Sequence, residues 1–199
     1  FQFKKFKVHQ DRCAMKIGTD GVLLGAWSSI EHEPKSILDI GAGTGVVALQ
    51  LAQRSSASTI DAIEIDDQAH EQCTHNFENS DWADRLFCYH ASVQEFASEM
   101  EHKYDLIVSN PPYVMDKEKE LMQENVLNYE PELALFVSED NPLLFYRKIA
   151  ELAFVSLNEN GKLFFEINEQ FGQETIELLS NIGFVDIELK KDINDKDRM

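Results

Sequence analysis

The sequence predicts an α/β fold, a doubly wound and mostly parallel sheet with helices on both faces. Short apolar runs of the length of buried strands alternate along the chain with longer amphipathic segments typical of helices. The first of these strands leads into a glycine-rich turn at residues 41–45, and the fourth is stopped by two consecutive prolines. Alternation of this kind places parallel strands side by side and covers both faces of their sheet with the connecting helices.

A chain of 199 residues is long enough to form one domain with a substantial core. Its first segment, 1–17, is interpreted as a strand or hairpin because apolar and polar residues alternate in places. The sheet strands are predicted at 36–40, 59–65, 85–90, 104–109, 162–167 and 184–190, and the helices at 22–30, 46–54, 68–79, 94–100, 141–157 and 172–182.

Acidic residues outnumber basic ones by 36 to 18, which gives a net charge of −18 and a pI of about 4.6. This balance argues against a broad electrostatic surface for nucleic acid. The first sixteen residues are an exception, because they contain five basic side chains and a single acid, Asp11. An anionic ligand near the N-terminus and a solvated lysine-rich edge explain this asymmetry equally well. The five basic residues are Lys4, Lys5, Lys7, Arg12 and Lys16.

Cysteine use and hydropathy predict a cytoplasmic protein. The three cysteines, Cys13, Cys73 and Cys88, are scattered without the pairing of a metal site, and a reducing compartment is the default for such a chain. No apolar stretch approaches the ~20 residues that would span a bilayer. The six histidines show no metal-ligand spacing, so we assign no metal site.

The glycine-rich turn carries Gly41, Gly43 and Gly45 between a buried strand and the start of a helix. Glycines let the backbone approach a ligand closely, and the free N–H groups of a helix start favour anionic or polar atoms. Glu64 ends the next strand, at the position where a doubly wound fold holds the ribose diol of a nucleotide. Turns of dinucleotide-binding proteins look similar, so the glycines alone leave the cofactor open.

The fourth strand ends in Asn110, Pro111, Pro112 and Tyr113. Neither proline can donate a ladder hydrogen bond, so the strand must stop here. The break leaves an amide, a rigid backbone carbonyl and an aromatic face together at a strand end. These three groups are suited to holding a flat NH2 group.

The segment from Asp39 to Gly45 resembles motif I of the class I S-adenosylmethionine-dependent methyltransferases. The segment from Asn110 to Tyr113 resembles motif IV of the branch that methylates planar nitrogens. Residues 1–113 resemble the bacterial tRNA(Val) adenine-N6-methyltransferases, notably at 11–27 and 78–85. Residues 106–199 are instead similar to the HemK-type enzymes that methylate a glutamine amide of peptide-release factors, notably at 129–136 and 145–149.

The resemblance implies a methyltransferase domain with S-adenosyl-L-methionine as cofactor. It divides the chain into an N-terminal extension at 1–35, a cofactor-binding half at 36–113 and a substrate-side half at 114–199. The final strand of the family would begin near 198–199 and insert between the strands at 162–167 and 184–190, so the sheet would lack its last strand. The implied catalytic residues are Asn110, Pro111 and Tyr113, and the implied cofactor-binding residues are Asp39, Gly41, Gly43, Gly45, Glu64, Ser92, Lys16, Gly18 and Thr19.

Four functions compete on this evidence. The first is methylation of adenine N6 in tRNA, which the N-terminal half and its basic stretch favour. The second is N5-methylation of a glutamine in a peptide-release factor, which the acidic charge and the C-terminal half favour. A non-catalytic module that only binds S-adenosylmethionine would need a damaged site, and Asn110 and Tyr113 are intact. A nicotinamide-dependent dehydrogenase would leave the Asn-Pro-Pro-Tyr segment unexplained.

Overall fold

The computed structural model describes residues 1–99, 102–111, 114–115, 136–137 and 141–199. Its strands are β1 Ser36–Ile40, β2 Thr59–Glu64, β3 Leu86–His90, β4 Tyr104–Ser109, β5 Val114–Met115, β6 Phe136–Val137 and β7 Leu157–Phe165. Its helices are α1 Thr19–Trp27, α2 Val46–Arg54, α3 Asp67–Glu78, α4 Val93–Glu99, α5 Leu144–Ser156 and α6 Gly172–Ile182, with a 3₁₀ turn at Glu169–Phe171.

Five strands form one sheet in the order β3-β2-β1-β4-β7, and all four neighbouring pairs are parallel. Side chains alternate across this sheet, so that Ile37 of β1 faces one layer of helices and Leu38 the other. On one side Ile37 packs in a cluster with Leu49 of α2 and Phe77 of α3. On the other side Leu38 packs in a cluster with Tyr146 of α5. The predicted fold class is therefore confirmed. A separate short parallel pair joins β5 to β6.

Several predicted boundaries agree with the structure, whereas the first helix begins three residues earlier than predicted and the strand predicted at 162–167 begins five residues earlier, at Leu157. The strand at 36–40 and the helices at 46–54 and 172–182 have the predicted bounds. Helix α1 begins at Thr19 instead of residue 22, so the turn-like segment around Gly21 is its first turn. The reason is tertiary, since Gly21 and Gly25 allow α1 to lie close to α2. A Cβ on Gly25 would clash with the side chain of Gln50.

The predicted strand at 184–190 is wrong for the residues that the structure describes. Asp186 has a positive φ of 53°, which interrupts an extended strand, and the side chain of Val185 is exposed. The N–H of Ile167, just beyond β7, donates to the carbonyl of Arg198 at 2.9 Å. The N–H of Arg198 in turn donates to the carbonyl of Lys190 at 2.8 Å. Residues 198–199 therefore lie between these segments, where the resemblance places a final strand.

The N-terminal segment folds back on itself and then runs along α3. Gln2 and Lys7 form an isolated antiparallel bridge, and the N–H of Phe3 donates to the carbonyl of Phe6 at 2.9 Å. Phe6 and Val8 are buried in the same cluster as α2 and α3. The predicted hairpin at 1–17 is thus confined to its first eight residues. The segment from residue 9 onwards is held by side chains of α3 rather than by a strand partner.

Candidate active site

The order of the strands reverses between β1 and β4, and both predicted motifs follow these two strands. Ile40 lies opposite Ser109 in the parallel register, so Gly41 and Asn110 leave neighbouring strands at the same edge. The hydroxyl of Ser109 donates to the carbonyl of Ile40 at 2.8 Å and fixes the two strand ends to each other. Open α/β sheets bind ligands in the crevice at such a switch point. The structure therefore brings Asn110, the first residue of the second motif, next to the first motif.

The glycine turn is open at two of its glycines and closed at the third. Gly41, Gly43 and Gly45 have φ values of 72°, 54° and 76°, which L side chains rarely adopt. A Cβ on Gly41 or Gly43 would meet nothing within 4 Å, so the backbone there faces open space. A Cβ on Gly45 would lie 2.6 Å from Phe77 and 2.8 Å from Cys73. Gly41 and Gly43 therefore leave space for a ligand next to the backbone, and we name these two residues the glycine cradle. Gly45 instead lets the turn pack against α3.

Glu64 fastens the glycine turn to the end of β2. One carboxylate oxygen, Oε2, accepts from the N–H of Gly43 at 2.8 Å. The other, Oε1, accepts from the N–H groups of Ile65 and Asp66 at 2.8 and 2.9 Å. Each carboxylate oxygen can accept twice, so Oε2 keeps one acceptor position beside the cradle. The predicted contact of Glu64 with a ribose stays a prediction that this position can serve.

Asp39 lies beneath the turn and is almost completely buried, with 2% of its surface exposed. Its Oδ2 accepts from the N–H of Ala48 at 3.1 Å, which holds the start of α2 against β1. Burial raises the pKa of Asp39 to about 7. The hydrogen bond from the Ala48 N–H lowers this pKa, and the negative charge of Glu64 raises it further. Asp39 therefore supports the turn, and a direct contact with the cofactor stays a prediction.

Ser92 follows β3 at the same edge of the sheet, and its side chain is used to start α4. Its N–H and hydroxyl both donate to Oε2 of Glu95, at 2.9 and 2.6 Å. The N–H of Glu95 donates back to the Ser92 hydroxyl at 3.2 Å, which completes a capping box. These hydrogen bonds lower the pKa of Glu95. Ser92 lies in the predicted place, and its contact with the cofactor stays a prediction.

Lys16, Gly18 and Thr19 lie where the N-terminal segment enters α1. The ammonium group of Lys16 donates to the backbone carbonyls of Gln10 and Cys13, both at 2.7 Å, so it closes this loop on itself. Gly18 is the N-cap of α1 with an ordinary extended conformation, and Thr19 is the first helical residue. The cofactor contacts predicted for these three residues stay predictions.

The loop closed by Lys16 follows the stretch of the N-terminal segment that α3 holds. Gln72 of α3 accepts from the N–H of Arg12 at 3.0 Å. Burial raises the pKa of the Cys13 thiol that follows, and the negative charge of Glu64 raises it further. Lys16 opposes this rise, and Asp66 adds to it. Hydrogen bonds to α3, and through Asn76 to the carbonyl of Thr44, hold the N-terminal segment next to the glycine turn.

Asn110 and Pro111 lie at the end of β4, Asn110 half-buried and Pro111 buried. The carbonyl of Ser109, just before them, accepts from the N–H of Glu166 at 3.1 Å, which ties β4 to the end of β7. Tyr113 lies outside the described residues, so the aromatic platform predicted for it stays a prediction. In the described part of the chain no group of three or more His, Cys, Asp or Glu residues could hold a metal ion.

Asn76 is a functional candidate that the sequence analysis did not identify. It lies on α3 with 1% of its surface exposed. Its amide nitrogen donates to the carbonyls of His9 and Thr44 at 2.8 and 2.9 Å, and its oxygen accepts from the N–H of His9 at 2.8 Å. One amide therefore links the N-terminal segment to the glycine turn. The available signal was Gln72 and Asn76, two amides four residues apart beside the apolar positions of the helix.

The family model for the methyltransferase small domain matches residues 18–132, which is more than half of the chain. The chain belongs to this family. A crystal structure of a methyltransferase from Pyrococcus furiosus superposes with a TM-score of 0.59 at 22% identity, covering 82% of this chain and 71% of that one. This likeness supports the fold. No helix that the structure describes is both long enough and apolar enough to cross a membrane.

Two relatives from Flavobacterium psychrophilum each align over 163 residues, which is 82% of this chain. The tRNA1(Val) (adenine(37)-N6)-methyltransferase is 55% identical, and the alignment covers 65% of its length. The release factor glutamine methyltransferase is 45% identical, and the alignment covers 56% of its length. The chain spans between half and two thirds of the length of the first tRNA-methyltransferase relatives. Together with the family match, these relatives confirm the assignment to the class I S-adenosylmethionine-dependent methyltransferases.

Proposed function

We propose that the chain binds S-adenosyl-L-methionine and methylates the N6 amino group of an adenine in tRNA. The observation that carries the proposal is the register of β1 and β4, because Gly41 and Asn110 directly follow the paired residues Ile40 and Ser109. A bound cofactor and a bound NH2 group would then face each other across two neighbouring strand ends. In-line methyl transfer depends on this alignment more than on a strong base.

The residues present fit the proposed cofactor. The open cradle at Gly41 and Gly43 admits a ligand against bare backbone, and Oε2 of Glu64 offers an acceptor position for a hydroxyl group. Asn76 holds the N-terminal segment next to the glycine turn by donating to the carbonyls of His9 and Thr44. When bound, S-adenosylmethionine supplies an electrophilic methyl group on a sulfonium.

The acceptor nitrogen is a poor nucleophile because its lone pair is delocalised into the ring. In our proposal the amino group donates two hydrogen bonds. One goes to the side-chain oxygen of Asn110 and the other to the backbone carbonyl of Pro111. These hydrogen bonds favour a more pyramidal nitrogen and hold its lone pair towards the donor methyl group. Preorganised polar groups of this kind are often the largest single contribution to a rate enhancement. An adenine within RNA structure must be splayed out to reach them.

The choice of tRNA rests on sequence similarity and on local charge. Over the same aligned length, identity is 55% to the relative named for tRNA and 45% to the relative named for a release factor. The basic N-terminal segment also favours a nucleic acid. The second candidate is N5-methylation of a glutamine in a peptide-release factor, which the 45% identity to that relative keeps open.

The test combines one substitution with two acceptors. Methyl transfer from labelled S-adenosylmethionine is measured in parallel on unmodified tRNA and on unmodified release factor, for the wild type and for Asn110→Ala. We expect label in tRNA and a fall in its turnover of at least about 100-fold for Asn110→Ala, with cofactor affinity by calorimetry nearly unchanged. Asn181→Ala, an exposed change on α6, is the matched control and should retain full turnover.

Two results would contradict the proposal. Full turnover of Asn110→Ala would remove Asn110 from the chemistry. Label in release factor alone would replace tRNA by the second candidate acceptor.

A further inference from the structure

The first eight residues form a closed turn that holds three lysines on the surface. The turn is fixed by the hydrogen bond from the N–H of Phe3 to the carbonyl of Phe6 and by one from the N–H of Val8 to the carbonyl of Phe1, both 2.9 Å. The rings of Phe3 and Phe6 stack with their centroids 4.5 Å apart. Phe6 is buried and packs edge to face against Trp82, with the two ring centroids 5.7 Å apart. The backbone that carries the lysines is therefore anchored to the core.

Lys4, Lys5 and Lys7 project from this turn into solvent. No salt bridge in the described part of the chain engages them, whereas the exposed Arg12 further along is paired with Glu71 at 2.9 Å. We name these three residues the lysine turn. Phe1, beside it, has 55% of its surface exposed. Such a group of unpaired positive charges beside an aromatic ring stands out on a chain with a net charge of −18.

The lysine turn is connected to the active site along α3. Trp82, against which Phe6 packs, follows the C-terminal end of α3, whereas Asn76 and Gln72 hold residues 9–12 along the helix. Asn76 also donates to the carbonyl of Thr44 in the glycine turn at 2.9 Å, so the same helix reaches the active site. The 12 residues of α3 extend over roughly 18 Å. A ligand that contacts both the lysine turn and the active site must therefore be much larger than a nucleoside.

We propose that the lysine turn binds the phosphate backbone of the RNA whose adenine is methylated. This inference rests on the proposed function, since it takes tRNA as the acceptor. A polyanion is repelled by most of this acidic chain and attracted where positive charges are unpaired. Lysines on a fixed backbone neutralise phosphates without reading bases, so they set the position of an RNA on the protein. Phe1 offers a ring against which an unpaired base can stack.

The test is the salt dependence of tRNA binding. Binding of unmodified tRNA is measured between 50 and 200 mM salt for the wild type, for Lys4→Gln/Lys5→Gln/Lys7→Gln, and for a control triple variant. The control is Lys35→Gln/Lys103→Gln/Lys162→Gln, which removes the same charge from three exposed lysines elsewhere. Each lost phosphate contact lowers the slope of log K against log salt by about 0.9. The lysine-turn variant should therefore lose about 2–3 units of slope and bind roughly 10- to 100-fold more weakly at low salt.

Cofactor affinity should be the same in all variants, and Lys4→Arg/Lys5→Arg/Lys7→Arg should bind tRNA like the wild type because it keeps the charge. Wild-type affinity and slope in the glutamine variant, or an equal loss in the control variant, would overturn the inference.

Methyl transfer measured on the same samples separates this inference from the proposed function. Methylation of tRNA by the wild type, with tRNA binding unaffected in the lysine-turn variant, would overturn the inference alone. Binding of tRNA that depends on the lysine turn, without any transfer to tRNA, would support the inference and overturn the proposed function. A wild type that binds no tRNA would overturn both.

Discussion

Replacing Asn76 with alanine removes the link between the N-terminal segment and the glycine turn. Three hydrogen bonds are lost, and the N–H and carbonyl of His9 and the carbonyl of Thr44 lose their partner. A buried polar group left without a partner costs about 1–3 kcal/mol. The groups of His9 are only partly buried and can regain water, so we expect a total loss of about 2–4 kcal/mol. For a chain of this size, that corresponds to a fall in Tm of roughly 5–15 °C.

The assay combines thermal unfolding with calorimetric titration of S-adenosylmethionine. Thr44 belongs to the glycine turn, so a turn released from Asn76 must be ordered again when the cofactor binds. We expect affinity to fall about 3- to 10-fold, which equals about 0.7–1.4 kcal/mol. The control is Asn79→Ala at the exposed end of the same helix, where the amide bonds only within the helix. It should stay within about 1 kcal/mol of the wild type. An Asn76→Ala variant as stable as this control, with wild-type cofactor affinity, would refute the reasoning.

Two further predictions concern the glycine turn and the buried Asp39 next to it. Gly43→Ala should cost about 1–2 kcal/mol for its positive φ and weaken cofactor binding, whereas Gly45→Ala should cost more stability because its Cβ would contact Phe77 and Cys73. Chemical denaturation measures the loss of stability in both variants, and calorimetry measures their cofactor affinity. Equal losses of stability would contradict the different roles assigned to Gly43 and Gly45. The pKa of Asp39 is about 7 in the folded state, above its unfolded value of 3.8. The protonated carboxyl group therefore contributes to the stability of the fold below about pH 4, and this contribution is lost as the pH rises towards 7. Asp39→Asn keeps an acceptor for Ala48 and cannot ionise, so its stability relative to the wild type should rise between pH 4.5 and 7.5; parallel profiles would contradict this.

The sequence predicted well those features that depend on a few neighbouring residues. The strand at 36–40, the glycine turn and the helix at 46–54 follow from an apolar run, three glycines and an amphipathic repeat, and the structure has them at the predicted bounds. The same holds for the edge shared by Gly41 and Asn110, because parallel strands place their carboxyl ends together. Local pattern and topology together were therefore sufficient to predict that the two motifs begin at the same edge of the sheet.

Other features depended on contacts between distant residues. Gly21 and Gly45 both follow a short polar residue and precede valine, yet their structural roles differ. Gly21 lies within helix α1, whereas Gly45 is required because Phe77 and Cys73 leave no room for a Cβ. The segment 184–190 has a strand-like composition, but its backbone turns at Asp186, and residues 198–199 lie next to β7.

The amide of Asn76 shows the same limit most clearly. Its partners are 67 and 32 residues away, and no local pattern encodes such distances. The sequence by itself determined the class of fold, the two motifs and the edge at which they meet, because periodicity, glycine and proline act over short distances. The tertiary structure decided which of the predicted residues face open space and which support them from behind. It did so because the burial and hydrogen bonding of a side chain depend on elements that only the folded chain brings together.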